Sequence, residues 1–196
     1  FPKGTIPMMK KLPIVLLVLF ATVTMGIAAE TSAVKTPSKP EIGKPAPFFS
    51  GRLLDKKLLK LEDVLKKKNK IILIDFWATW CPPCRGEIPH LQELHKEFHQ
   101  KGLEIVSVNV NEDAETIESF IKKTEMPWNH IRDIGGKISA LYEVNSIPAP
   151  FLIDQNGIVV AMELDLRGPN LKKTVEKFIK NLPPQEVSEE QSTKEQ

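Results

Sequence analysis

Cysteine is nearly absent: the 196 residues contain two. That excludes a disulfide scaffold and supplies at most half of a four-ligand zinc site. Net charge is also scarce, with 27 basic against 25 acidic residues and a formal charge of +2. Taking away Lys3, Lys10 and Lys11, the only charges before Glu30, leaves 24 basic against 25 acidic residues. A balance that close to zero gives no reason to expect nucleic acid or an anionic membrane surface as a partner. Histidine is rare as well. His95 and His99 share the i, i+4 spacing of a metal pair, but the order is H-K-E-F-H rather than H-E-x-x-H and no third ligand is in view. The pair is expected to face solvent, and neither a metal nor another cofactor is expected.

What is present suits one globular domain with appendages: 41% hydrophobic and 27% charged residues over this length. Met8-Met9-Lys10-Lys11 leads into an apolar run from Leu12 to Ala29 that ends in small residues. Basic residues ahead of such a run fit a secretory signal peptide, and the run is also long enough for a membrane-spanning helix. Either reading of residues 1–29 puts the rest of the chain outside the cytoplasmic membrane, in the periplasm or at the outer face. No cysteine follows the run, so lipid attachment there is excluded. Glu30 to Pro47, rich in Pro, Ser, Thr and Lys, reads as an extended linker, with folding from Phe48. The domain is expected over 48–182, and the polar stretch 183–196 as a disordered tail.

The chain is organised around Ile71 to Glu87, IILIDFWATWCPPCRGE. Its apolar start reads as a buried strand ending near Asp75 or Phe76. Pro82 and Pro83 pre-set the backbone for a helix start, so Cys81 falls at a helix N-terminus. There the backbone N–H groups and the helix dipole favour an anion, here a thiolate. A C-x-x-C unit at such a place lowers the thiol pKa. Cys81 would attack a partner disulfide, and Cys84, deeper in the helix and more buried, would resolve the mixed disulfide.

DFWATWCPPC resembles the active-site strand, turn and helix start of the thioredoxin superfamily. Arg85-Gly86-Glu87-Ile88-Pro89 is similar to its TlpA/ResA-like branch of secreted or membrane-anchored thiol–disulfide oxidoreductases. The resemblance spans roughly Ile42 to Asn181. It implies an α/β fold: a three-layer α/β/α sandwich around a central mixed sheet, with an N-terminal β-hairpin and a βα insertion between the two halves. It also implies a cis peptide before Pro148, in a loop whose preceding residue, Ile147, pairs with substrate backbone. Trp80, Pro82, Pro83, Ile147 and Pro148 then form the substrate-binding set. The family usually has Thr after this proline, where Ala149-Pro150 stands here, and that departure bears on substrate preference. Two carboxyls match family positions. Asp75 corresponds to the buried aspartate of thioredoxins and Glu87 to the active-site glutamate of ResA-like proteins, so Cys81, Cys84, Glu87 and Asp75 make up the expected catalytic set.

Local patterns supply the rest. Phe49–Leu54 and Lys57–Leu61 predict the hairpin, and Glu62–Lys68 a short helix ending in a solvated Lys-rich loop. Pro82 to about Lys101 predicts an amphipathic helix, with Ile88, Leu91, Leu94 and Phe98 on one face. Leu103–Val110 predicts a strand, Asp113–Lys123 a helix, Trp128–Ile131 a short strand and Lys137–Tyr142 a short helix. Phe151–Asp154 and Ile158–Leu164 predict a second hairpin, followed by a helix capped by Asn170.

The expected activity is exchange with protein disulfides, most like a reductase. By resemblance the substrate would be apocytochrome c, with electrons from a membrane thiol-transfer protein. An oxidase or isomerase is the alternative, and a metal-binding or interaction module is the non-enzymatic one. A peroxidase of the Pro-x-x-x-Thr-x-x-Cys type would need proline at Ile74 and threonine at Ala78.

Overall fold

The computed structural model describes residues 39–67 and 70–183. The expected leader, residues 30–38 of the linker and residues 184–196 of the tail fall outside these residues. Strand β3, Ile71–Trp77, is buried along its whole length and lies at the centre of a five-stranded sheet. On one side it runs parallel to β4, Leu103–Val110, from Ile71↔Leu103 to Trp77↔Asn109. On the other it runs antiparallel to β6, Ala149–Ile153. The edges are β5, Asn129–Asp133, parallel to β4, and β7, Val159–Met162, antiparallel to β6. The sheet is therefore mixed, in the order β5-β4-β3-β6-β7.

Side chains alternate across a strand, so β3 feeds two cores. Ile71, Leu73 and Trp77 point to one face. There they meet Ile88, Leu91, Leu94 and Phe98 of helix α2 (Pro82–Phe98), Ile117 of α3 (Ala114–Lys123) and Leu171 and Val175 of α5 (Pro169–Ile179). Ile72, Ile74 and Phe76 point to the other face. They pack against Leu61 and Val64 of α1 (Leu61–Lys66), Ile138 of α4 (Lys137–Leu141), Tyr142 and Phe151. Each such aliphatic side chain contributes roughly 1.5–3 kcal/mol on burial, so the three layers hold one another in place. Asp75 lies on the α2 face by the same alternation, two residues before the strand ends.

The N-terminal hairpin is present but shorter than expected, with β1 at Ser50–Arg52 and β2 at Leu58–Lys60. Lys56 turns the chain with φ +69°. The hairpin lies against β5. Leu53 bridges Ile131, and the Leu54 N–H donates to the His130 carbonyl at 3.3 Å. A Cβ on Gly51 would come within 2.6 Å of Ile131 Cγ2, so only glycine allows this approach. Ordered pairing also begins ahead of Phe48. The Gly43 N–H donates to the Val159 carbonyl and that of Ala46 to the Gly157 carbonyl, each at 2.8 Å, and Pro45 bridges Ile158.

Three local readings need correction. Strand β7 stops at Met162 rather than Leu164, because Glu163 takes φ +57° and starts a 3-10 turn, Glu163–Leu166. Asn170 does not cap the last helix. That helix starts at Pro169, whose ring already has a helical φ, and Asn170 Nδ2 donates to the Leu164 carbonyl at 3.4 Å. His95 and His99 do not simply face solvent. Half-buried, they stack on one another at 4.6 Å, and His95 packs against Trp128 at 5.8 Å.

Candidate active site

Cys81 is the N-cap of α2, and Pro82 and Pro83 fill its first turn. Proline suits those positions because the first helical N–H groups have no partner inside the helix. The Cys81 sulfur accepts from the Cys84 N–H at 3.2 Å and lies 3.9 Å from the Ile147 carbonyl oxygen. Cys81 and Cys84 form a disulfide, with Cα atoms 5.3 Å apart. The expected contrast in exposure between the two is not seen: in the disulfide each residue is 3% exposed. What distinguishes them is position, since Cys81 borders the Ile147–Pro148 loop and Cys84 lies inside the helix. The Ile147–Pro148 bond is cis, as the resemblance implied. Trp80 stands 61% exposed beside the disulfide. Together with Ile147, Val110 and Val144 it lines an open cavity of about 600 Å³. Pro82 and Pro83 are exposed on the same end of the molecule.

Pro150 has no N–H to give to a ladder. It pairs in register with Asp75, while β7 reaches only Phe151–Ile153, so β6 has no β7 partner at Pro150.

The two carboxyls differ. Asp75 is buried, and burial, reinforced by the charge of Glu87 and opposed by Arg167, pushes its pKa up to about 7. Glu87 is half-buried on α2, and its Oε2 accepts from the Gly168 N–H at 2.8 Å. Neither is a free surface group, and the two lie near enough for the charge of Glu87 to raise Asp75.

Two supports escaped the sequence reading. Glu112, in the turn after β4, accepts at Oε2 from the Thr79 N–H at 2.8 Å and from Asn109 Nδ2 at 2.6 Å; its Oε1 accepts from the Thr79 hydroxyl. Arg85 donates to the Thr79 carbonyl at 3.3 Å. The turn that presents Trp80 and Cys81 is thus pinned from two sides. The second support is Arg167-Gly168, just before α5. Arg167 donates to the Pro148 carbonyl while Gly168 donates to Glu87. No local pattern announces either support. The Arg-Gly-Pro start of α5 is the only textual hint of the second.

This arrangement can exchange thiols with disulfides: a sulfur at a helix N-terminus, a second sulfur one turn on, a buried carboxyl that titrates near neutrality, and a loop edge for substrate backbone. Comparison with known proteins agrees. Residues 42–162 match the AhpC/TSA family. The chain is 33% identical over 170 residues to the thiol–disulfide oxidoreductase ResA of Bacillus cereus, covering 87% of this chain and 95% of that one. Among solved structures, it is similar to the thioredoxin domain of a thiol–disulfide oxidoreductase from Bacteroides vulgatus, with TM-score 0.64 and 32% identity over 71% of this chain and 98% of that one. A thiol:disulfide interchange protein from Bacteroides sp. matches with TM-score 0.64 and 30% identity over 78% and 97% of the two chains.

Proposed function

The chain belongs to the AhpC/TSA family and is a thiol–disulfide oxidoreductase, and from this premise we propose that it reduces protein disulfides outside the cytoplasmic membrane, with Cys81 attacking and Cys84 resolving. The observation that carries the reading is the Cys81–Cys84 disulfide at the N-terminus of α2, with the Cys81 sulfur beside the carbonyl of Ile147.

The reduced protein starts the reaction. The Cys81 thiolate, favoured by the α2 N-terminus and the Cys84 N–H, attacks one sulfur of a substrate disulfide. A mixed disulfide forms, and the other substrate sulfur leaves as a thiolate that takes a proton. Asp75 accepts the proton of Cys84, and the resulting thiolate attacks Cys81 in the mixed disulfide. The substrate departs as a dithiol, carrying two electrons and two protons, and the protein is left as its Cys81–Cys84 disulfide. Glu87, fixed by the Gly168 N–H, adds a negative charge that helps Asp75 hold the proton it takes. Trp80, Pro82, Pro83, Ile147 and Pro148 receive the substrate chain, which lies along the Ile147 backbone as an added strand would.

A dithiol on a membrane thiol-transfer protein would re-reduce the pair. Apocytochrome c, whose haem-site cysteines must be reduced before haem attachment, is the proposed substrate; this rests on the ResA-like resemblance. The peroxidase alternative lacks its residues, since Ile74 and Ala78 are apolar and buried. The direction of transfer follows from the reduction potential. A value near the thioredoxin end, about −270 mV, sustains a reductase, and one near −120 mV would make the protein an oxidase. Insulin reduction should proceed with the wild type and stop with Cys81→Ser. Expression of Cys84→Ser should accumulate mixed disulfides on Cys81 whose partners identify the substrate. Absence of turnover in the wild type would end the proposal.

A further inference from the structure

Arg167 and Gly168 lie in the turn between the 3-10 segment and α5, far in sequence from both cysteines. Yet two adjacent residues of this turn reach two different parts of the site. The Arg167 guanidinium donates through Nη2 to the carbonyl of Pro148, the proline of the substrate loop. The Gly168 N–H donates to Glu87 on α2. Gly168 takes φ +52° and ψ −134°, a conformation open to glycine and strained for other residues, and this turns its N–H toward Glu87. Arg167 Nε is enclosed with no hydrogen-bond partner among the described residues. A half-buried guanidinium held by one carbonyl is an unusual expense unless its charge has an electrostatic counterpart. That counterpart is Asp75, which the Arg167 charge pulls toward its ionised form. The charged groups acting on Asp75 are Glu87 from α2 and Arg167, while its strand neighbours, Ser107 on β4 and Pro150 on β6, carry no charge.

We infer that Arg167 is a positioning residue for the exchange reaction, fixing the cis-proline loop through the Pro148 carbonyl and keeping one positive charge within reach of Asp75. The inference rests on the reading above, in which Ile147–Pro148 receives substrate backbone and Asp75 takes the proton of Cys84. The two tasks separate by chemistry. The carbonyl is held by the planar fork of arginine, whose geometry lysine does not reproduce, whereas the charge is common to both residues.

The test uses the full chain, wild type and the variants R167Q and R167K. Each is followed by ¹³C NMR titration of the Asp75 carboxyl in the oxidised form, and by insulin reduction with dithiothreitol as electron source. In R167Q the Asp75 midpoint should rise by about one pH unit, the effect of losing a nearby opposite charge. Its KM should rise about tenfold, the loss expected for one charge-assisted hydrogen bond. In R167K the midpoint should stay near that of the wild type while KM remains raised. A purely structural arginine would lower the melting temperature and leave both readouts alone, and that result overturns the inference. If R167Q does not fold, R167K decides: a wild-type KM there refutes the loop-holding role. D75N separates this from the underlying reading. If D75N leaves the pH dependence of turnover unchanged while R167Q still moves the Asp75 midpoint, Asp75 is not the base, but Arg167 still governs its charge.

Discussion

The two faces of β3 are built from the same strand and differ in what they leave unfinished. On one, Ile72, Ile74 and Phe76 meet only apolar side chains and rings, with Phe76 packed at 5.4 Å from Tyr142 and 5.9 Å from Phe151. The single polar atom brought there by Tyr142 is satisfied, its hydroxyl donating to the Pro47 carbonyl at 2.9 Å. On the other face, Asp75 is buried with no side-chain hydrogen bond among the described residues and with only the charges of Glu87 and Arg167 acting on it. The indole N–H of Trp77 and His130 Nδ1 are likewise buried and unpaired. The disulfide lies on this second face. Chemistry is placed where the core is left electrostatically incomplete, and the completed face holds the sheet rigid behind it.

Stability against pH separates the two faces. Asp75 should dominate. Its folded pKa of about 7 lies above the ordinary 3.8, so it favours folding at low pH and that support is lost as pH rises from about 4 to 7. Asp75→Asn should therefore stabilise the oxidised protein by up to about 4 kcal/mol at pH 8 and by nothing below pH 4, as read by urea unfolding. Equal stabilisation at both pH values would show that burial of charge is not the cause. His130 acts in the opposite sense. Burial pulls its pKa down to about 4, so the unfolded chain takes up a proton first and stability falls as pH drops from 6.5 to 4. His130→Phe should remove about 3 kcal/mol of that acid-side slope. On the finished face, Phe76→Leu should cost about 1 kcal/mol, the same at every pH between 4 and 8. A pH-dependent cost there would erase the contrast.

Much of this was legible in the sequence, and the part that was not shares a cause. The Ile71–Trp77 run and the Ile88, Leu91, Leu94, Phe98 stripe follow from local periodicity, and the helix start at Cys81 follows from Pro82-Pro83. The cis Pro148 and the choice of Asp75 and Glu87 as the carboxyls to watch came through resemblance, whereas the effect of one charge on the other did not. The hidden parts are contacts closed over long loops. Glu112 meets Thr79 across 33 residues, and Gly168 meets Glu87 across 81. Nothing in the spacing of either segment encodes them. The exposure of Cys81 was misjudged because a helix-end position says nothing about the loop folded against it. The early start of pairing at Gly43 was hidden by a composition that reads as linker, although Pro45 and Ala46 serve a sheet margin as well as a tether.

That margin has a consequence of its own. A sheet normally ends in two rows of unsatisfied amides that invite any extended polypeptide to join. Here Gly43–Ala46 runs along β7 and Leu53–Leu54 along part of β5, so both borders are at least partly guarded by the protein's own N-terminal stretch. A thiol–disulfide oxidoreductase acting on proteins is exposed to extended chains. With these borders covered, the substrate path proposed above, along the Ile147–Pro148 loop, does not compete with pairing at the sheet margins.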